Sequence, residues 1–537
     1  EWMAHKTYAF ISDGGIQEEI SQGAGRIAGT LGLSNLIMFY DANEVQLSTR
    51  VNEVTHEDTA AKYRAWGWNV ISIDGNNADE IANALKAANE ERERPTLIIG
   101  HTLMGKGAMG PNGEDFSDKV STHGQPLTGA GASIEKTIEN LGGDPKNPFT
   151  IFPEVKEYYA KMLDKKRAYA KAKKAEQAEW EKTHPELAAK WHKFFSGKAP
   201  EIDYKAIQHK ANIATRAASA DVLNALARQV ENMIVSSADL SNSDKTDGFI
   251  KGGARNLVKG DFSGAFLQAG VAELTMAVIC NGIALHGGLI AACGTFFVFS
   301  DYMKPAFRLS ALMELPVKYI WSHDAFRVGE DGPTHQPIEH EAQLRLMEKM
   351  ENHHGRMSLL ALRPADAAET SVAWKMAMEN TQTPTALVLS RQNINDLPGD
   401  NRYETALQAE RGAYVAYETG ETPDVVLIAS GSEVSTLVDG AKLLLERKGI
   451  RARVVSVISE GLFRRQDKEY QTAIIPEGKP RYGLTAGLSV TLEGLVGCNG
   501  RVHGVNHFGY SAPAKVLDEK FGFTGEHVYE EVMEMLR

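Results

Sequence analysis

Asp13 and Asn43 stand thirty residues apart, each just past a short apolar run: TYAFIS (Thr7–Ser12) before the first and LIMFYD (36–41) before the second. Such runs read as parallel strands, and open α/β sheets collect ligands at the carboxyl ends of their strands. Both side chains offer hard oxygen. Val45, two residues beyond Asn43, adds a backbone carbonyl. Mg²⁺ takes six oxygens in an octahedron, only a few of them from protein, with phosphate and water supplying the rest. Gly14 and Gly15 allow backbone N–H groups to approach a phosphate, and the start of the following helix favours negative charge. The unit is suited to hold a diphosphate through a metal ion, although a plain strand–helix–strand crossover uses the same turn residues.

The elements that must position these residues follow from apolar rhythm. Strands are expected at 7–12, 36–41, 68–73 and 96–101, alternating with helical stretches, which predicts a parallel α/β unit over residues 1–150. Residues 151–206 are rich in Lys, Glu and Ala (DKKRAYAKAKKAEQAEW) and read as solvated linker helices. A second α/β unit, 207–396, has strands expected at 233–237, 289–292, 317–322, 358–363 and 385–390. A third, 405–537, has strands at 424–429 and 451–456 around a helix over 433–448. The fold class is α/β with three doubly wound domains.

Bulk properties narrow the function. The chain has 537 residues, 43% of them hydrophobic, and a formal charge of −12, which argues against a general nucleic-acid binder. No apolar run reaches the roughly 20 residues of a membrane span. Cys280, Cys293 and Cys498 are widely spaced and make neither a metal nor a disulfide pattern, so a reducing, cytoplasmic setting is expected.

The first unit resembles the thiamine-diphosphate motif, GDG followed some 25 to 30 residues later by Asn, here SDG (12–14) and Asn43. The second unit carries GVAEL (270–274), GTFFVFSDY (294–302), SHDAFRVGEDGPTHQP (322–337) and LSRQN (389–393); the third carries ASGSEV (429–434) and HFGYSAP (507–513). Together, in order and across almost the whole chain, these resemble the transketolase family. The resemblance implies diphosphate-binding, pyrimidine-binding and C-terminal domains. It also implies thiamine diphosphate with Mg²⁺ (Ca²⁺ or Mn²⁺ as substitutes), sugar-phosphate substrates in the pentose phosphate pathway, and a homodimer with active sites at the interface.

The resemblance also implies roles. Asp13, Asn43 and Val45 are the metal ligands. Gly14, Glu18, Asn43 and Asp239 belong to the cofactor-binding set, Glu18 coupling to the catalytic Glu across the dimer. Thiamine chemistry needs a carboxyl group hydrogen-bonded to the aminopyrimidine ring; by resemblance this is Glu273, with Phe296, Phe299 and Tyr302 enclosing that ring. Arg216, Ser243, His323 and Arg391 match the substrate-phosphate positions, where an Arg fork suits phosphate oxygens. Asp331 and His335 match residues at the donor's hydroxyls, and His123 matches a His that aids proton transfer. His56, Lys106, His340 and His353-His354 are expected at the surface or in loops.

Three departures stand out. Ser12 replaces the first Gly of GDG, where a Cβ would crowd the diphosphate or forbid a positive φ. Ala272 and Leu274 flank Glu273 where the family has other residues, and Lys106 stands where an aromatic is usual. Family members also carry well over a hundred residues before the GDG strand, including further active-site histidines, so the first domain is expected to be incomplete and to expose a sheet edge. Two rival readings accompany the transketolase one: another thiamine-dependent ketol transferase, of the dihydroxyacetone synthase or deoxyxylulose-phosphate synthase kind, and a truncated, non-catalytic cofactor-binding chain.

Overall fold

The computed structural model describes residues 2–537, which fall into two compact units, one of residues up to Lys190 with Val258–Phe262, the other of Trp191–Leu257 and Ser263–Arg537. The first unit holds a parallel four-stranded sheet: β1 (Thr7–Ser12), β2 (Leu36–Ala42), β3 (Asn69–Asp74) and β4 (Thr96–His101), in the order β1-β2-β4-β3. The register sets Ser12 beside Asp41, so the residues that follow β1 and β2 emerge together. β1 is an edge strand whose Phe10 is 84% exposed. Behind the sheet, helix Glu19–Leu31 packs close to Trp66. A Cβ at Gly29 would lie 1.9 Å from the Trp66 carbonyl oxygen, so only glycine fits there. The charged stretch forms helices Pro153–Thr183 and Pro185–Phe195. The first buries no residue, as a helix polar on all sides should, and spaced pairs such as Glu157 and Lys161 (2.6 Å) line it.

The second unit holds two sheets. One runs β5 (Met233–Ser237), β6 (Phe266–Gln268), β7 (Ile290–Phe296), β8 (Lys318–Ser322), β9 (Leu360–Leu362) and β10 (Thr385–Leu389), all parallel, ordered β6-β5-β7-β8-β10-β9. β8 and β10 are buried at every residue, and covered parallel strands tolerate such unbroken runs. The other runs β11 (Tyr414–Glu418), β12 (Val425–Ala429), β13 (Ala452–Ser456), β14 (Arg481–Thr485) and β15 (Arg501–Gly504), ordered β11-β13-β12-β14-β15, with β11 antiparallel. Helix Glu433–Lys448 ends where the sequence places it, closed by left-handed Gly449. Strands β6, β11, β14 and β15 are not among those expected from the sequence, and β7 continues to Phe296, beyond the expected end at 292.

Buried charge joins the segments carrying these two sheets. Arg363, 2% exposed, pairs with Asp324 (2.8 Å), Glu433 and Glu341 (3.4 Å). Arg327 pairs with Glu433 (2.7 Å) and Asp518 (2.6 Å), and Arg345 with Glu341 (3.0 Å) and Glu348 (2.9 Å). Each guanidinium thus meets carboxylates on more than one side, as a desolvated charge requires.

Candidate active site

Asp13 opens the short helix Asp13–Gln17 and is 1% exposed. The Tyr40 hydroxyl donates to its Oδ1 (2.6 Å), and the Asn43 backbone N–H donates to its Oδ2 (3.1 Å). The Asn43 side-chain oxygen in turn accepts from the Val45 N–H (3.1 Å), across Glu44 at φ +63°. The register of β1 on β2 thereby brings the Asn43 backbone onto Asp13, with buried Val45 hydrogen-bonded to the Asn43 side chain. Burial pushes the Asp13 carboxyl above its usual range, its hydrogen bonds opposing. A buried carboxylate so destabilised, among oxygen donors alone, fits a divalent cation of the Mg²⁺ type. Tyr40, which the sequence reading did not single out, fixes the carboxylate; it lies inside an apolar strand with nothing local to mark it.

Ser12 does not disturb this end of β1. Its φ is −105°, so no positive φ is forbidden, and its Oγ caps the helix by accepting the Gly15 N–H (3.4 Å). Open space surrounds Gly14, where an added Cβ would meet nothing within 4 Å. The helix expected to run on from Gly14 breaks at Glu18, exposed at ψ 128°, and restarts over Glu19–Leu31. His123 follows the turn Val120–Thr122; its buried Nδ1 has no hydrogen-bond partner among the described residues. Lys106 is exposed.

In the second unit the sheet order does the positioning. β5, β7, β8 and β10 are neighbours, with Ser237 beside Gly294, Phe296 beside Ser322, and Ser322 beside Leu389. The loops leaving their carboxyl ends therefore lie side by side, and they carry Asp239 and Ser243, Phe299 and Tyr302, His323, and Arg391. The order in which strands are added reverses between β5 and β7, with β6 on one side and β7, β8, β10 and β9 on the other, the place where such parallel sheets open a crevice. Ser390, at the end of β10, accepts from the Thr215 N–H (3.0 Å) and donates its own N–H to Thr215 Oγ1 (2.7 Å). That pins the start of helix Thr215–Gln229, and with it Arg216.

Arg216 Nη1 donates to the Ser243 carbonyl (2.6 Å) and lies 3.4 Å from both Ser243 Oγ and His323 Nε2. His323 is 2% exposed, at φ +62°. Burial pushes its imidazole down to about 2, with Arg216, Arg391 and His335 adding repulsion. Burial also lowers Arg216, and Arg391 repels it further; Asp244 is the acid that opposes. Arg216 and a neutral His323 thus meet at Ser243 with the charge of Arg391 felt by both, which is an anion's environment.

Beside them stand aromatic rings. Phe296 lies 3.7 Å from His323 between ring centres, stacks on Phe299 (5.8 Å), and Phe299 meets His335 edge-on (5.4 Å) and Tyr302 (6.0 Å). Tyr302 forms the outer edge, 64% exposed. Glu273 heads helix Glu273–His286, half-buried, and burial pushes its carboxyl up, opposed by its own backbone N–H. Asp239 (φ +62°) and Asp331 are exposed on their loops. His340, expected at the surface, is instead 5% exposed, its ring against Phe297 (5.6 Å) and its Nε2 3.2 Å from Asp301, because it begins a helix packed on the core.

Family models match almost the whole chain: "Transketolase, thiamine diphosphate binding domain" over residues 1–200, "Transketolase, pyrimidine binding domain" over 211–396 and "Transketolase-like TK C-terminal domain" over 412–524. The transketolase of Halalkalibacterium halodurans is 40% identical over 531 residues, covering 98% of this chain and 76% of its own length; that of Geobacillus stearothermophilus is 39% identical over 545 residues, covering 100% and 78%. Among solved structures, Leishmania mexicana transketolase superposes with a TM-score of 0.90 at 32% identity, covering 99% of this chain and 76% of that one. A Pichia stipitis transketolase in complex with sedoheptulose-7-phosphate superposes at 0.88 and 33% identity, with the same coverage. These relatives do not favour the rival readings, a different ketol transferase or a non-catalytic chain. The chain belongs to the transketolase family: it is a thiamine-diphosphate-dependent transferase of two-carbon ketol units.

Proposed function

We propose that this chain takes a glycolaldehyde unit from a ketose phosphate and passes it to an aldose phosphate within the pentose phosphate pathway, in a reducing cytoplasm and as a homodimer. The observation that carries the substrate class is the convergence of Arg216 and His323 on Ser243, with the charge of Arg391 felt by both (Arg216 Nη1 to His323 Nε2, 3.4 Å). Two guanidiniums offer donors to a terminal phosphate, and the neutral imidazole, whose Nε2 accepts from Arg216, holds one of them in place. The sedoheptulose-7-phosphate named for the Pichia relative is a ligand of this kind.

Thiamine diphosphate, when bound, supplies the carbanion chemistry that breaks and re-forms a carbon–carbon bond beside a carbonyl. Asp13, Asn43 and Val45 hold the bridging cation (Mg²⁺, or Ca²⁺ or Mn²⁺ in its stead), and the open flank of Gly14 lets the backbone approach the diphosphate. Burial raises the Glu273 carboxyl, the direction that favours its protonated form, and Glu273 would hydrogen-bond to the pyrimidine ring. Phe296, Phe299 and Tyr302 wall the ring. Asp239 and Glu18 complete the cofactor's surroundings. Asp331 orients the sugar hydroxyls, and His123 and His335 move protons. We divide the chain accordingly into residues 1–150, a linker over 151–206, 207–396 and 405–537.

The deciding experiment is calorimetric titration of the chain with thiamine diphosphate in the presence and absence of Mg²⁺, followed by a ketose-phosphate/aldose-phosphate assay. Metal-dependent binding and turnover of phosphorylated sugars support the proposal. Metal-independent binding, or equal turnover of unphosphorylated sugars, overturns it.

A further inference from the structure

Far along the chain from every residue assigned above, two histidines and a carboxylate meet. His503 sits on β15. His527 and Glu531 are one turn apart on the last helix, Gly525–Met535. His503 Nδ1 lies 3.1 Å from Glu531 Oε2, His527 Nε2 lies 3.8 Å from the same oxygen, and the three ligand atoms are within 4.8 Å of one another. The two rings are 4.9 Å apart between centres, inclined at 67°.

The surroundings are those of a ligand set held in place. His503 Nε2 donates to the Phe521 carbonyl (2.7 Å), which leaves Nδ1 facing the cluster. A carbonyl on the far nitrogen is the usual device that fixes a metal-binding imidazole. The Tyr482 hydroxyl donates to Glu531 Oε2 (2.6 Å) and orients the carboxylate. Gly522, at φ +80°, leaves the room: a Cβ there would fall 2.7 Å from His527 Nε2 and 3.1 Å from His503 Cε1. The competing cation is Arg501, 3.9 Å from Glu531 Oε1, but its close partner is Glu534 (2.6 Å). All three side chains are half-buried, so an ion has a route in and water has a route to a fourth position.

We propose that His503, His527 and Glu531 form a binding site for a divalent transition cation of the zinc type, with water as fourth ligand, clamping β15 to the last helix. Two imidazole nitrogens and one carboxylate suit Zn²⁺ and not Mg²⁺, which prefers oxygen alone. Zinc bonds of about 2.0–2.2 Å require small shifts of these three side chains, with His527 moving closer.

The test uses the full chain with Cys498→Ser in every sample, since that thiol is exposed, stripped with EDTA and kept in excess Mg²⁺. Zn²⁺ is titrated against a chromophoric chelator, and Co²⁺ is added separately for its absorption bands. The parent binds one Zn²⁺ per chain and shows a tetrahedral Co²⁺ spectrum. Its Tm rises with Zn²⁺. His527→Ala loses this affinity by at least tenfold, while its Tm in EDTA and its transketolase turnover stay at the parent's values. Glu531→Gln, whose amide oxygen still accepts from Tyr482, folds and likewise loses the metal. Tyr482→Phe binds roughly ten- to a hundredfold more weakly, the size of effect that outer partners have. A parent that binds no zinc, or a His527→Ala protein that keeps parental affinity, overturns the proposal.

Discussion

Arg216 Nη1 and His323 Nε2 lie 3.4 Å apart. A guanidinium nitrogen can only donate, so Nε2 of His323 must accept, and its ring proton sits on Nδ1, 2.9 Å from Ser322 Oγ. The imidazole is therefore held neutral and in one tautomer by its neighbours, in a place where burial and two guanidiniums already push its pKa down to about 2.

The pH dependence follows with a definite sign. Below about pH 6.5 an unfolded chain protonates this histidine and the folded one does not. Stability from this site is lost as pH falls below 6.5, by about 1.4 kcal/mol for each pH unit that a full proton differs. Chemical denaturation of the parent and of His323→Gln between pH 7 and 5 measures it: the parent loses more stability than the variant over that interval. Parallel lines for the two proteins reject the assignment.

Arg216→Ala and Arg391→Ala each remove a charge-assisted contact to substrate phosphate, worth on the order of 1.5–3 kcal/mol. Steady-state kinetics should show KM for phosphorylated sugars raised roughly ten- to a hundredfold, and KM for unphosphorylated sugars little changed. Equal effects on both classes would assign these residues to structure alone.

Asp13→Ala takes the charged ligand out of the proposed cation site while leaving Tyr40 in a strand that is otherwise intact. Calorimetry with thiamine diphosphate should lose its dependence on Mg²⁺, with circular dichroism unchanged. Parental, metal-dependent affinity in the variant would move the metal elsewhere.

Glu273→Gln keeps size and hydrogen-bonding capacity but cannot carry the carboxyl proton. Cofactor affinity should weaken modestly, and turnover at saturating cofactor should fall by about 10²-fold or more. Exchange of the thiamine C2 proton for deuterium on the bound cofactor isolates the effect from sugar binding; parental exchange in the variant rules Glu273 out as the activating acid.

Arg363→Met leaves buried Asp324 without its ion-pair partner and takes one of two guanidiniums from Glu341 and from Glu433. Removing one partner of a buried ion pair costs about 3–5 kcal/mol. Urea denaturation should show a loss of that size, and a loss below 1 kcal/mol would mean that the carboxylates find other partners.

Much of this was legible in the chain itself. Apolar runs with turn residues at their ends located β1, β2, β5, β8, β10, β12 and β13, because each run carries its own strand preference. The position of Asp13 and Asn43 at strand ends needed only that rhythm. Motif strings pointed to His323 and Phe296, and the family resemblance to Arg216. What no local pattern carried was pairing across distance. β6, β14 and β15 (FLQ, RYGLT and RVHG) are short or interrupted by polar residues and glycine, and become strands only because neighbours complete their hydrogen bonds. His340 looks like a loop histidine until its helix packs. Arg363 and Glu433 look like surface charges, yet they are 2% and 0% exposed. Strand preference lives in adjacent residues, whereas a buried charge is tolerable only where residues some 70 positions away supply its partner, and that is decided by the tertiary structure alone.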